Sequence, residues 1–148
     1  MSEVTVVNNT GNQAHFDYDV SKIFVWNNRY EDGILTNASG GIKSFLPGTL
    51  LGRVSAGGKL VPLTSGAVDG SQYPVGVLLS NVVELGIAGD KDVSYCIFGD
   101  IVESKLILAG ADTLETIIDG RLLGDRITSD TMGIKLVESD ELTGFDNQ

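Results

Sequence analysis

Leu46–Val82 reads LPGTLLGRVSAGGKLVPLTSGAVDGSQYPVGVLLSNV. Within it, three short apolar runs, Thr49–Val54, Lys59–Leu63 and Pro74–Leu79, are separated by turns rich in Gly, Ser and Asp. Runs this brief, punctuated by chain-reversing residues, specify the strands of a compact β-protein. In Thr49–Val54, Leu50, Gly52 and Val54 fall on one face and Thr49, Leu51 and Arg53 on the other, as the two-residue period of a strand requires. Ser55-Ala56-Gly57-Gly58 turns the chain into Lys59–Leu63, its hairpin partner. Pro62 has no N–H to give to a ladder, so that strand ends or lies at an edge there. Pro74–Leu79 is almost wholly apolar, with Val75, Val77 and Leu79 alternating against Gly76 and Leu78. Such a run is buried on both faces or meets another subunit, which makes Leu78 and Leu79 candidates for apolar subunit packing.

Upstream, Lys22–Trp26 (KIFVW), Ile34–Leu35 and Ile42–Leu46 are further strand-forming runs. Asn27, Asn28 and Ser39-Gly40-Gly41 mark loops, and Asp32-Gly33 between apolar neighbours predicts a hairpin turn. Residues 1–15 hold a β-prone segment, Val4–Val7, before a polar loop. They are expected to form a first strand, or an arm that orders on a partner's sheet edge. Downstream, Asp92–Phe98 reads as a strand, followed by a Gly99-Asp100 turn and a short run, Ile101–Glu103. Near Gly110 the pattern changes. Asp112-Thr113-Leu114-Glu115 has the form of a capping box, with Leu114, Ile117 and Ile118 at helical spacing behind it. A second helical stretch, Arg121–Met132, places Leu123 and Ile127 four apart and is stopped by Gly133. Ile134–Val137 returns as a strand, and residues 138–148 form an acidic tail. The expected architecture is a single, mainly β domain over residues 16–137, a bent ribbon of β-clip type or a small barrel. One or two short helices fall in its C-terminal third. A chain of 148 residues suffices for one such domain with a real core.

The charge narrows the partners. Twenty Asp and Glu against ten Lys and Arg give a net charge of −10. A surface of that sign repels phosphate backbones and anionic membranes, so neither nucleic acid nor membrane is an expected partner. No apolar run approaches the ~20 residues of a spanning helix, and residues 1–10 lack the basic start and apolar block of a secretory signal. A soluble protein made in a cytoplasm is the expectation.

Chemistry is harder to find. Cys96 is the single cysteine, which rules out an intrachain disulfide. It lies in the apolar run VSYCIF (Val93–Phe98) and reads as a small buried hydrophobe. His15, the single histidine, stands in a polar segment with no nucleophile motif beside it, so no catalytic or metal role is expected of it. Asp17 with Asp19, Asp90 with Asp92, and Asp140 with Glu141 are carboxylate pairs by sequence. Acid–base work would need a cleft that separates their pKa values; otherwise they are solvated loop charges. The glycines form neither a GxGxxG nor a P-loop, and no GxSxG elbow occurs. No catalytic, cofactor-binding or metal-binding residue is therefore named, and the expected protein is not an enzyme. Trp26, Tyr30 and Tyr73 are candidate contact residues because aromatics are enriched at interfaces; the alternative for each is an ordinary core or turn aromatic.

Taken in order, PGTLLGRV (Pro47–Val54), GKLVPL (Gly58–Leu63) and DGSQYPVGVLL (Asp69–Leu79) resemble the lambda-type bacteriophage head decoration protein D family. The likeness continues more loosely through GDIVESKL (Gly99–Leu106), AGADTLETIIDGRLLGDRI (Ala109–Ile127) and GIKLV (Gly133–Val137). It spans residues 41–137, while residues 1–40 carry none of these motifs. The resemblance implies a capsid-stabilising virion component with no catalytic function and no cofactor. Its implied partners are the major coat protein and itself, as a homotrimer at local three-fold positions on the outside of the head. Glu3, Val4, Thr5, Val6 and Val7 would then be the capsid-binding residues, adding a strand to a coat-protein sheet. Two other readings fit the residues: another inert virion part, such as a tail or fibre module, and a β-barrel enzyme or ligand binder using scattered carboxylates.

Overall fold

A computed structural model of the protein describes residues 22–129 and 132–138. In chain order its strands are β1 (Phe24–Thr36), β2 (Lys43–Phe45), β3 (Leu50–Arg53), β4 (Leu60–Pro62), β5 (Pro74–Leu78), β6 (Val82–Leu85), β7 (Asp90–Val102), β8 (Ile117–Ile118), β9 (Arg121–Leu122) and β10 (Gly133–Val137). A 3₁₀ turn, Glu103–Lys105, and a short helix, α1 (Leu123–Ser129), accompany the strands.

The two 13-residue strands, β1 and β7, pair antiparallel along their length and form the spine. From the far edge of β1 the sheet continues through β4, β3 and β5. It then returns to β7 through Val77↔Cys96 and Leu78↔Tyr95, which closes a five-stranded barrel and removes the exposed edges that an open sheet would leave. Only the β1–β4 seam is parallel, at Leu35↔Leu60. Beyond the point where β5 leaves it, β7 pairs in parallel with β10, from Gly133↔Phe98 to Val137↔Val102. The ribbons β2–β6 and β8–β9 stand apart from this sheet.

Closure divides the apolar residues into two cores. Leu35, Leu51, Leu60, Leu78, Val93 and Tyr95 fill the barrel, joined by Phe45 and Val82 from the β2–β6 ribbon. Leu50, Val77, Cys96 and Ile101 point the other way, into a larger core with Leu123 and Ile127 of α1 and Ile134 of β10. Strands β3, β5 and β7 are therefore walls buried on both sides, which is why Pro74–Leu78 carries no polar face. Neighbours Val77 and Leu78 are both fully buried, one in each core. Full burial of side chains of this size contributes roughly 1.5–3 kcal/mol apiece.

The mainly β class, the single domain and the short C-terminal helix match expectation. Pro62 does end its strand, paired to Leu51. Five local readings are corrected. Asp32-Gly33 is no turn but the middle of β1, paired with Ser94 and Val93. Asn27 and Asn28 likewise lie inside β1, and Gly99-Asp100 inside β7. Asp112 does not cap a helix: its carboxylate accepts from the Ser65 hydroxyl at 2.6 Å and amide at 3.2 Å, tying two loops together. Ile117 and Ile118 form β8, and the helix is confined to Leu123–Ser129.

Candidate interaction surfaces

Several polar groups of the described residues are engaged with one another. Cys96 is fully buried. Its Sγ lies 3.1 Å from the Phe98 carbonyl and 3.6 Å from the Asn28 amide nitrogen, and burial pushes the thiol above its ordinary range, so it packs as a hydrophobe. Asp90 meets the Lys59 ammonium at 2.6 Å. That bond, helped by the Thr36 hydroxyl, holds its carboxyl below the usual range, the opposite of what a general acid at neutral pH requires. Asp92 and Asp32 line an open depression of about 430 Å³ with Ser80 and Ser94. There the Ser94 hydroxyl donates to Asp32 at 2.8 Å. Asp69, on a second groove of about 330 Å³, is lowered by the hydroxyl and amide of Ser71. Among the described residues no three His, Cys, Asp or Glu side chains are placed to hold a metal ion.

The Tyr95 ring fills the barrel, while its hydroxyl meets two exposed side chains. Arg53 donates to its hydroxyl at 2.5 Å, and the hydroxyl donates to Glu31 at 3.2 Å. Burial raises this phenol, and the chain of bonds anchors β7 to β3 and β1 across the barrel. This is structural polarity, satisfied as a buried hydroxyl must be.

The surface is more informative. In the β8–β9 ribbon, Ile118 enters the core while Ile117, 66% exposed, stands directly opposite Leu122, 39% exposed. The ribbon is fixed from behind by α1. The buried Arg126 donates from Nε and Nη2 to the Ile118 carbonyl at 3.1 and 2.7 Å. Its guanidinium lies 5.1 Å from the Tyr73 ring centre, and the Tyr73 hydroxyl bonds the Asp119 carboxylate.

A second apolar region sits where β1, β7 and β10 run side by side. Register shifts interrupt the β1–β7 ladder between Phe24 and Tyr30. Asn27 at φ 52° and Gly99 at φ 114° take left-handed conformations across the gap. A Cβ on Gly99 would come within 2.7 Å of Asn28 Cα and the Trp26 carbonyl oxygen. Bulges of this kind re-aim side chains. Here Trp26, paired with Asp100, emerges 70% exposed; Phe98, paired with Arg29, is 39% exposed, and the Arg29 guanidinium lies 5.2 Å from its ring centre.

Of the residues singled out from sequence, Glu3–Val7, His15, Asp17, Asp19, Asp140 and Glu141 lie outside the described residues. Leu78 is wholly buried inside its own barrel, and Leu79 is half-buried against the larger core. Tyr73 is half-buried against that core, whereas Trp26 is a surface residue. Phe98 and the Gly99 bulge escaped the sequence reading; an Asn-Asn pair and a Gly inside otherwise strand-forming runs were their only trace, and both read equally well as loops.

A search of curated proteins finds no match to this chain. The family profile described as bacteriophage lambda head decoration protein D matches residues 23–124. The match begins well ahead of Gly41, taking in all of β1, and runs through the whole closed barrel to the first turn of α1. It covers most of the chain, and the protein belongs to the bacteriophage lambda head decoration protein D family, a membership that supports a role in phage capsid decoration.

Proposed function

We propose that this protein is a non-enzymatic cement protein that binds the outer surface of the expanded phage head as a homotrimer and bridges neighbouring coat subunits. The observation that carries the reading is the family match across the entire barrel, residues 23–124. The physical character of the chain agrees with it. Its net charge of −10 suits a part facing away from packaged DNA. Its depressions are open, and of the carboxylates on them Asp32 and Asp69 are bonded to serines and Asp90 to a lysine.

Shell expansion would create sites where several coat subunits meet. A trimer docking there makes three equivalent contacts. Individually weak contacts, of millimolar strength or about 4 kcal/mol each, would be multiplied by avidity of roughly 10²–10⁴ once the geometry allows simultaneous engagement. Strand addition by Glu3–Val7 to a coat-protein sheet would supply affinity through backbone pairing, with little demand on side-chain identity. Host cytoplasm during assembly and the capsid exterior afterwards are the corresponding locations.

The test is co-sedimentation of full-length protein with undecorated, expanded capsids, alongside sedimentation velocity of the free protein. Saturable binding by a trimer, lost on deleting residues 1–9 while the trimer persists, is the expected result. Binding unaffected by the deletion would remove the arm from the mechanism; no binding at any salt concentration would remove decoration itself.

A further inference from the structure

We infer that the bulged face of the β1–β7–β10 ribbon, centred on Trp26 and Phe98, is a second docking surface, and that its occupant is coat-protein surface adjoining the site that receives the N-terminal arm. This rests on the coat-binding reading above and adds to it a contact made by the folded domain.

The face is defined by register. Trp26↔Asp100 and Arg29↔Phe98 join β1 to β7, while Phe98↔Gly133 and Asp100↔Lys135 join β7 to β10. Alternation then turns Ile101 and Ile134 into the large core and leaves Trp26, Arg29, Phe98, Asp100 and Lys135 on the other side. Among the described residues, two exposed aromatics thus share one side of the sheet with two cations and the Asp100 carboxylate, while Val102 and Val137, further along the same side, are buried. Trp and Arg are the residue types that dominate binding energy when an interface desolvates them.

The face is also held in shape. The Phe98 ring lies across Gly133, where a Cβ would stand 2.6 Å from its Cδ2. The Asn28 amide donates to the Asp100 carbonyl at 3.1 Å, stitching the bulge that projects Trp26. Side chains fixed in advance lose less freedom on binding.

The occupant follows from where the chain enters and leaves. The Val102 amide donates to the Ile23 carbonyl at 2.9 Å, and Val102 pairs with Val137. Residues 1–21 and 139–148 therefore join the domain side by side, at the same end of the ribbon. Trp26 is four residues from Lys22. Whatever takes up Glu3–Val7 is tethered to this end of the ribbon, and a neighbouring patch on the same partner would be engaged at the high effective concentration that a short linker provides.

Trp26 is the only tryptophan in the chain, so it can report its own cover. Replacing it biosynthetically with 5-hydroxytryptophan allows excitation to the red of the coat protein's tryptophans. Acrylamide quenching is then compared for the free protein across a concentration series and for the protein on expanded capsids, with co-sedimentation of unlabelled wild type and Trp26→Ser in parallel. The expected result is efficient quenching of the free protein at every concentration and several-fold protection on capsids. Trp26→Ser should bind capsids about tenfold or more weakly, with an unchanged circular dichroism spectrum and sedimentation coefficient. A capsid-bound indole that stays fully quenchable overturns this inference and leaves decoration standing. Protection that grows with concentration in the free protein overturns it in favour of a second copy as the occupant. Failure of the wild type to co-sediment overturns the decoration reading and this inference with it.

Discussion

The β1–β7 ribbon has two halves that obey different rules. From Tyr30↔Cys96 to Thr36↔Asp90 the strands hold register through seven consecutive pairs; from Phe24 to Tyr30 they break it three times. The regular half turns Leu35, Val93 and Tyr95 into the barrel. The bulged half projects the molecule's only tryptophan into solvent. A strict two-residue alternation commits one face of a strand to the core, so presenting a large aromatic outward near a buried one requires the alternation to be broken. Both halves bury core residues, Phe24 and Ile101 in the bulged half among them, but only the bulged half turns a large aromatic outward, and it is there that the proposed docking face lies.

The comparison breaks first if the regular half proves dispensable. Leu60 is wholly buried opposite Leu35, and Leu60→Ala should destabilise by about 2–5 kcal/mol, read from urea unfolding. A loss under about 1 kcal/mol would mean that the barrel interior is not packed as described. Next comes the bulge itself. Gly99→Ala introduces a Cβ into backbone contact at φ 114°, which should cost about 1–3 kcal/mol. It should also alter the near-ultraviolet signal of Trp26. An unchanged protein would show that the bulge relaxes freely and is not a fixed device.

Smaller effects sharpen the contrast. Arg126→Met strips the Ile118 carbonyl of two donors. A loss of about 1–3 kcal/mol is expected, with faster amide exchange in β8–β9 and none in the β1–β7 ladder; uniform exchange would deny the hairpin its separate anchor. Trp26→Ser, on the exposed face, should move stability by no more than about 0.5 kcal/mol, in contrast to its effect on capsid binding. A large loss of stability would place Trp26 with the core.

The smallest effect is a matter of pH. Lys59 and Thr36 lower the folded-state pKa of Asp90, so the unfolded chain binds its proton first as pH falls. The contribution is present above the ordinary carboxylate pKa and disappears as pH drops through the lowered, folded value. The difference in urea midpoint between wild type and Asp90→Asn should therefore be small at pH 7 and vanish in acid. A difference that grows on acidification contradicts the pairing.

The fold was legible where local pattern and tertiary role coincide. β3, β4 and β5 are short apolar runs between flexible turns, and their burial on both faces follows from having no polar side. Legibility failed where a residue serves a distant neighbour. Gly33 sits beside Asp32 as a turn signal would, yet its missing Cβ makes room for Leu60 Cδ1, 2.9 Å from where it would stand. Asp112 has capping-box spacing, yet its partner is Ser65, 47 residues away. Asn27, Asn28 and Gly99 read as loops because left-handed backbone suits a bulge and a turn equally. The proposed docking face was half visible: Trp26 stood out by type, but its exposure goes with those bulges. The quiet chemistry of Cys96 was legible because an apolar run foretells burial.

The central claim is that this chain decorates the outside of a phage head, and a cryo-electron microscopy reconstruction of expanded heads incubated with the full-length protein tests it most directly. Barrel-sized density in threes at the local three-fold positions of the outer surface is the expected result, with the β1–β7–β10 face and the start of β1 turned toward the coat. Heads that remain bare, or density that lies on the tail or within the shell, would contradict it.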